Sequence, residues 1–185
     1  MEIRTPRLLL RPPLPADARG ALEMLADPET SRWSPCADVV DEASALVWCL
    51  ARADRSAGDH ASWHAVLRTT GDFVGSVSVF SIESAHLTAH VGYRIHPARR
   101  GHGYAQEALR AATSWAFAEL GIERLQLEHD VDNLASCAVA LGAGYAFEGV
   151  LRGSYREADG SRRDEHVHGR LAVDPGFGSA TPPSS

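Results

Sequence analysis

The stretch HPARRGHGYAQEALRAATSWAF, residues 96–117, combines residue types that suit anion binding. Gly101 and Gly103 follow an apolar segment and precede a long amphipathic run, with Arg99 and Arg100 just upstream. The first turn of a helix offers unpaired N–H groups and a partial positive charge, and glycine lets such a backbone approach a ligand closely. The pattern predicts a phosphate or pyrophosphate site. The alternative is a turn that only redirects the chain.

Two familiar phosphate-binding loops do not fit this turn. A P-loop requires Gly-Lys followed by Ser or Thr, and no such sequence follows here. A dinucleotide-binding fingerprint requires a third glycine and repeated strand–helix–strand halves, whereas the spacing here is Gly-x-Gly-x-Ala. The turn therefore belongs to neither of these nucleotide-binding classes.

Hydrophobic periodicity predicts an α/β protein whose strands and helices position this turn. The predicted strands are RLLLR, SWHAVLRTT, DFVGSVSVFSIES, LTAHVGYRI, ERLQLEHDV and a terminal hairpin that turns at ADGS. The second, third and fourth of them are expected to be antiparallel. Four helices are predicted. The first begins near Ala16 and Asp17, and the second covers DEASALVWCLARAD. The third runs from the glycine turn to about Leu120, and the fourth covers DNLASCAVALGAG, with an N-cap at Asp132 or Asn133. RWSPCAD is predicted to be a loop.

Composition limits the partners and the compartment. The chain has 185 residues and a net charge of −6, which suits one domain and argues against nonspecific nucleic-acid binding. Its three cysteines form no metal-binding or disulfide pattern, so a reducing cytoplasm is expected. No apolar run is long enough to span a membrane, and the N-terminal segment does not have the pattern of a signal peptide. We expect one domain over 1–174 and a disordered tail over 175–185.

The glycine turn resembles motif A of the GCN5-related N-acetyltransferases (GNAT), whose pattern is Arg/Gln-x-x-Gly-x-Gly/Ala. Arg100, Gly103 and Ala105 fill it. The segment IRTPRLLLRPPLPADA is similar to the opening of the RimJ/RimL-like branch. DNLASCAVALGAGYAFEGVLRGSY is similar to its Asn-x-x-Ser helix and closing strand. Together these motifs cover about Ile3 to Val173.

The resemblance implies a GNAT fold: a single mixed, mostly antiparallel sheet, splayed between its fourth and fifth strands and flanked by helices. It also implies acetyl-CoA as co-substrate, with its pyrophosphate on the turn and pantetheine beside the fourth strand. Backbone N–H groups of that strand would then stabilise the oxyanion. The expected cofactor-binding residues are Tyr93, Arg94, Ile95, Arg99, Arg100, Gly101, His102, Gly103, Tyr104, Ala105, Asn133 and Ser136.

The implied reaction moves an acetyl group directly to a primary amine, which needs a proton acceptor and a proton donor. Ser136 of Asn-x-x-Ser is the candidate donor to the leaving thiolate, and Asn133 is expected to hydrogen-bond pantetheine; helix packing and helix capping are their structural alternatives. His90 stands where the branch often has Glu and is the candidate base, since histidine titrates near pH 6.5. A structural role in the cleft wall is the alternative for His90.

Further polar and aromatic residues suit substrate or metal binding by type. Glu128 and Trp33 are candidates for contacting the acceptor. His166 and His168 share one strand face, but two histidines alone do not make a metal site. No metal is therefore expected.

The identity of the acceptor remains open at the level of sequence. A protein or peptide N-terminal amine, an amino acid or polyamine, and an amine-bearing antibiotic all suit the resemblance, because a fold does not fix a substrate. The competing functions are a noncatalytic acyl-CoA-binding or sensing protein and a transferase that uses another acyl-CoA. The branch is commonly dimeric, so a homodimer is expected.

Overall fold

A mixed β-sheet organises the part of the chain that the structure describes, residues 1–176 of this computed structural model. Its strands are β1 (Ile3–Arg4), β2 (Leu8–Arg11), β3 (His60–Leu67), β4 (Phe73–Glu83), β5 (Thr88–Ile95), β6 (Arg124–Asp130), β7 (Ala146–Arg156) and β8 (Arg162–Leu171). The α-helices are α1 (Ala18–Leu25), α2 (Pro28–Trp33), α3 (Glu42–Ala53), α4 (Tyr104–Glu119) and α5 (Leu134–Gly142). Short 3₁₀ turns at Pro15–Asp17 and Pro97–Arg99 precede α1 and the glycine turn.

The strand order is β1-β2-β3-β4-β5-β6-β8-β7. Neighbouring strands are antiparallel except for β5 and β6, which are parallel. Parallel neighbours need a long crossover, and α4 supplies it here. The predicted fourth and fifth strands correspond to β5 and β6, and the predicted mixed, mostly antiparallel GNAT-type sheet is confirmed.

The sheet opens between β5 and β6. The two strands pair only from Thr88 to His90, opposite Arg124 to Gln126. Beyond that point β5 continues to Ile95 along β4, and β6 continues to Asp130 along β8. The facing edges of β5 and β6 therefore separate halfway along their length and leave backbone groups free to bond another extended chain.

Two hydrophobic clusters cover the two faces of the sheet. The larger lies under α4 and α5 and includes Trp63, Leu109 and Tyr145. The smaller lies under α1 and α3 and includes Met24 and Trp48. The flanking helices are thus held on opposite faces, which leaves the opening between β5 and β6 accessible from both sides.

A buried ionic cluster ties β2, the turn before α1 and β3 together. The Arg11 guanidinium donates to both carboxylate oxygens of Asp17, at 2.8 and 2.6 Å. The ring Nδ1 of His64 lies 2.8 Å from the same carboxylate. Burial opposes ionisation of Asp17, but the bonds from Arg11 and His64 outweigh it and lower the pKa of this carboxyl.

Helix α2 departs from the sequence prediction, which placed a loop over RWSPCAD. Its last residues, Arg32 and Trp33, belong to the helix. The cause is local: the Asp27 side chain accepts from the Thr30 N–H and Pro28 occupies the first helical turn, a strong start signal. The helix brings Trp33 to the wall of the opening described below.

No helix within residues 1–176 is both long and apolar enough to cross a bilayer. Of the predicted tail over 175–185, positions 177–185 lie outside the described residues.

Candidate active site

The opening between β5 and β6 continues into a cleft of about 1160 Å³. Among the residues predicted for the site, all but His102 line it. The cleft therefore joins the glycine turn, the unpaired part of β5 and the start of α5, which are widely separated in sequence.

The glycine turn has the backbone conformation that its composition predicts. Gly101 and Gly103 both have φ of +76°, a left-handed conformation that other residues rarely adopt, and Gly103 caps α4 without any side chain. A Cβ at Gly101 would meet nothing within 4 Å, and one at Gly103 would meet only the Arg7 side chain at 3.5 Å. The turn is thus open on the ligand side, with the first N–H groups of α4 available to an anion.

The N-terminal segment braces this turn, a role that the sequence did not suggest. The Glu107 carboxylate, in the first turn of α4, accepts from the Thr5 hydroxyl at 2.6 Å and from Arg7 Nε at 2.6 Å. Arg7 also donates to the His102 carbonyl at 2.8 Å and lies over the Tyr104 ring. The Thr-x-Arg pattern of the N-terminal motif was the available signal, because it supplies both partners of Glu107.

The two arginines before the turn are already paired. Arg99 donates to Asp72 at 2.8 Å. Arg100 bonds Asp27 and Glu29 and also donates to the Thr30 hydroxyl at 2.8 Å. Arg100 therefore anchors α2 to the turn. Any charge that it offers to a bound phosphate is shared with these carboxylates.

His102 is placed differently from the other predicted residues, because its side chain does not line the cleft. Its ring stacks on Tyr104 with centroids 5.6 Å apart, and its Nδ1 lies 2.6 Å from the Arg100 carbonyl oxygen. His102 was predicted to bind the cofactor as part of the turn, and its side chain does not contribute to the cleft; a contact through its backbone N–H stays a prediction.

The alternation of side chains along β5 divides the cleft into two sides. Tyr93 points towards α4 and α5, where its hydroxyl donates to the Ser136 hydroxyl at 3.2 Å. Arg94 points the other way, towards α2 and α3, and donates to the Ser34 hydroxyl. His90 shares the Arg94 face because the two are an even number of residues apart. Burial raises the pKa of Tyr93 to about 12, so its hydroxyl keeps its proton at neutral pH.

Asn133 caps α5. Its side-chain oxygen accepts from the Ser136 N–H at 3.0 Å, which uses one of the two lone pairs of that oxygen. The predicted capping role is therefore present, and the second lone pair and the amide NH₂ of Asn133 remain for a contact in the cleft.

His90 lies beside an aromatic side chain without a carboxylate partner. Its ring centroid is 5.7 Å from that of Phe80, and within residues 1–176 no side chain hydrogen-bonds it. Glu128, across the opening on β6, accepts from Gln126 at 2.6 Å. The structure thus places both His90, the candidate base, and Glu128, the candidate for contacting the acceptor, in the cleft.

Two half-buried arginines on the α2/α3 side, Arg52 and Arg94, carry charge that no carboxylate within residues 1–176 neutralises. Arg52 of α3 lies over the Trp48 ring at 3.9 Å, and Arg94 has a buried Nε with no partner among the described residues. Burial, followed by repulsion from Arg94, lowers the pKa of Arg52 to about 10, and burial lowers that of Arg94. Both remain charged at neutral pH. Trp33 lines the same side, with Arg32 over its ring at 4.3 Å.

Comparisons with known proteins agree with this geometry. Residues 7–146 match the sequence model of a family described as "Acetyltransferase (GNAT) domain". An uncharacterized N-acetyltransferase of Bacillus subtilis, YoaA, is 26% identical over 168 residues, which cover 90% of this chain and 94% of YoaA.

Solved structures also resemble this one. Mycobacterium smegmatis RimJ in complex with CoA-disulfide is 26% identical, with a TM-score of 0.80 over 93% of this chain and 86% of RimJ. The microcin C7 self-immunity acetyltransferase MccE, solved with acetyl-CoA and AMP, is 20% identical, with a TM-score of 0.80 over 90% of this chain and 93% of MccE.

Proposed function

The chain belongs to the GNAT acetyltransferase family, in its RimJ/RimL-like branch, and from this premise we propose that it transfers the acetyl group of acetyl-CoA directly to a primary amine. The observation that carries the proposal is the unpaired end of β5 beside the open glycine turn. A pantetheine chain is extended and polar, so it fits an exposed strand edge, and a pyrophosphate fits the N-terminus of α4. The CoA bound to the RimJ relative supports the same cofactor.

In the proposed reaction the two faces of β5 have different tasks. The amine enters on the side of His90, which accepts its proton directly or through a water. Backbone N–H groups of the unpaired part of β5 stabilise the oxyanion of the tetrahedral intermediate. The thiolate leaves on the side of Ser136, whose hydroxyl gives up a proton.

The donor side contains a second hydroxyl that the sequence had not suggested. Tyr93 donates to Ser136, so this hydrogen bond orients the Ser136 hydroxyl and stabilises its oxygen as the proton leaves. We therefore assign Ser136 as the donor, reprotonated from solvent after the thiol departs, and Tyr93 as the residue that orients it.

The acceptor is proposed to carry an oxyanion, a carboxylate or a phosphate, close to its amine. Arg52 and Arg94 lie on the amine side of β5 without a carboxylate partner among residues 1–176, and a guanidinium binds such groups through paired N–H donors. Polyamines and polycationic antibiotics would be repelled by the same charges. The acceptors favoured are therefore amino acids, peptides with an acidic residue near the N-terminus, and phosphorylated amines.

The test is an amine panel incubated with acetyl-CoA, with thiol release and product mass as readouts. Matched pairs separate charge from shape: an amino acid against its amide, a peptide with Asp or Glu at its second position against Asn or Gln, and a phosphorylated amine against the free alcohol. The anionic member of at least one pair should have a kcat/KM at least tenfold higher. Arg94→Gln should remove that preference, whereas Arg19→Gln, at an exposed site on α1, should keep it.

The outcomes distinguish the two levels of the proposal. If acetyl-CoA binds but no amine in the panel is acetylated, the protein is the noncatalytic acyl-CoA-binding alternative. If amines react only with succinyl-CoA or another acyl donor, the acetyl assignment is wrong. Acetylation with equal rates for charged and neutral members of each pair would leave the transferase standing and reject the role of Arg52 and Arg94.

A further inference from the structure

A cluster of histidine and cysteine side chains lies beneath α5. It adjoins the cleft, because His129 also lines it, but none of its members has a role in the reaction proposed above. It comprises His129 of β6, Cys137 of α5, and His166 and His168 of β8. One ligand atom from each of them lies within 4.8 Å of all the others. The His166-x-His168 pair alone had predicted no metal site, but the fold adds two further ligands that are distant in sequence.

We propose that these four side chains bind a divalent transition-metal ion, with Zn²⁺ the best match. Three imidazoles and one thiolate are a ligand set that zinc accepts in tetrahedral geometry. Zinc bonds of about 2.0–2.3 Å place neighbouring ligand atoms roughly 3.4 Å apart. Side-chain rotations that move the ligand atoms by about 1 Å would therefore close the cluster around an ion. No carboxylate is needed to complete it.

Strand register explains why the histidines converge. His129 and His166 are directly opposite each other in the β6–β8 pair. His168 is two residues further along β8 and so projects from the same face. Helix α5 packs on this face and contributes Cys137. Phe147 of β7 lies edge-on to both β8 histidines, with ring centroids 5.0 and 5.5 Å away.

The hydrogen bonds of His129 leave its metal-binding nitrogen free. Its Nδ1 lies 2.8 Å from the backbone carbonyl oxygen of Asp130, so this nitrogen carries the hydrogen and donates it. The neutral ring then has a lone pair on Nε2, which faces Nε2 of His168 at 3.1 Å. A backbone acceptor on one ring nitrogen is the usual way in which proteins orient a metal-binding histidine.

The neutral ring of His168 leaves one of its two nitrogens without a partner among the described residues. If its Nε2 donates to His129, its Nδ1 becomes an acceptor, yet that atom is buried with no hydrogen-bond partner within residues 1–176. The backbone carbonyl oxygen of Tyr145 lies close to this ring. An ion on Nε2 would move the hydrogen to Nδ1, towards that carbonyl. Nδ1 of His166 is likewise buried and unpartnered among the described residues.

The proposed ion would be structural, because four protein ligands leave no open coordination position. It would fix the first turn of α5 against β6 and β8. Ser136 immediately precedes Cys137, so metal binding would also stabilise the position of the candidate proton donor.

The direct test uses untagged protein stripped with EDTA and titrated with Co²⁺, which reports tetrahedral thiolate ligation in its visible and near-ultraviolet spectrum. We expect one Co²⁺ per chain, displaced by Zn²⁺. Cys137→Ser should lose the thiolate charge-transfer band, and His166→Asn should weaken Co²⁺ binding at least tenfold. The matched controls are Cys36→Ser and His86→Asn, which should keep the wild-type spectrum and affinity.

A measurement on the wild-type chain remains informative even if a variant fails to fold. Zn²⁺ should protect Cys137 from alkylation, located by peptide mass, while Cys36 is alkylated at the same rate with and without the ion. Zn²⁺ should also raise Tm by several degrees at a concentration well above Kd. The proposal is wrong if wild-type protein gives no tetrahedral Co²⁺ spectrum, or if Zn²⁺ leaves the alkylation of Cys137 unchanged.

Discussion

At the scale of single residues, Ser136 has two hydrogen-bonding relationships in the cleft. Its hydroxyl accepts from Tyr93 and its backbone N–H donates to Asn133. If the hydroxyl protonates the thiolate, Ser136→Ala should lower kcat by on the order of 10²-fold and leave the Kd for acetyl-CoA nearly unchanged. Steady-state kinetics and calorimetry measure the two quantities separately.

Tyr93→Phe is the companion variant, because it removes the hydroxyl that donates to Ser136 and keeps the ring in its packing. It should lower kcat less than Ser136→Ala does. A large loss in Tyr93→Phe together with near-normal turnover in Ser136→Ala would make the tyrosine the donor.

The role of His90 can be separated from that of the carboxylate on the other strand. His90→Ala should lower kcat/KM by on the order of 10²-fold, the usual contribution of a general base. Glu128→Gln should have a small effect, because that carboxylate already accepts from Gln126. His86→Ala, at an exposed position, is the matched control. If Glu128→Gln lowers kcat/KM more than His90→Ala does, the base lies on β6 and His90 has only a structural role in the wall of the cleft.

At the scale of elements, the glycine turn and the end of α4 allow a matched comparison. Gly103 and Gly121 have φ of +76° and +65°, so alanine is strained at both. Only Gly103 faces the cleft, so Gly103→Ala should weaken acetyl-CoA binding at least tenfold, about 1.4 kcal/mol. Gly121→Ala should lower Tm without changing that affinity. Equal affinities in calorimetry would remove the turn from the cofactor site.

The ionic cluster of Arg11, Asp17 and His64 makes stability depend on pH. The pKa of Asp17 is lower in the folded chain than the unfolded value of about 3.9, so its stabilisation is complete above that value and is lost as pH falls below it. Asp17→Asn leaves Arg11 without its buried partner and should cost about 3 kcal/mol of unfolding free energy at pH 7. Urea unfolding measures this loss.

The control for that experiment is Asp38→Asn, at an exposed loop position. Its midpoint of urea unfolding should equal that of the wild-type protein. The difference between wild type and Asp17→Asn should shrink as pH falls from 4 to 2. A difference that does not depend on pH would mean that the Asp17 side chain matters for packing and not for charge.

The sequence predicted elements better than it predicted contacts between them. Periodicity and glycine position located α4 and its turn, because both signals are local. Helix α2 was missed since its start signal, Asp27 followed by Pro28, precedes a segment rich in turn-forming residues. The brace from Arg7 to Glu107 and the approach of Arg52 to Arg94 depend on how separate elements pack, which no local pattern contains.

The metal-ligand cluster shows the same limit within one motif. His166 and His168 were visible as an alternating pair, but Cys137 and His129 join them only through the order in which β8 lies beside β6. A hairpin can be predicted from its turn, but which of its two strands pairs with β6 depends on the assembled sheet.

At the scale of the whole molecule, charge is distributed unevenly. The net charge is −6, yet the cleft contains Arg52 and Arg94, two half-buried guanidinium groups without carboxylate partners among residues 1–176. In an acidic chain, such half-buried guanidinium groups favour the binding of an anion at their own part of the cleft. This arrangement fits a selective small-ligand site and gives no support to a nucleic-acid surface, which needs a basic exterior.

The parting of β5 from β6 after His90 has a consequence for the dynamics of the chain. Amides along an unpaired strand edge exchange rapidly with solvent deuterium, because only small local openings are needed. Hydrogen-bonded amides exchange more slowly, because their exchange requires larger openings. In the free protein, alternate amides between residues 91 and 95 should therefore become deuterated early, and those that face β4 late. Saturating acetyl-CoA should slow the early set selectively, as pantetheine takes the place of the missing neighbour. Deuterium uptake followed by fragmentation mass spectrometry would show this, and uniform slowing of both sets would mean that the cofactor tightens the fold without joining the sheet.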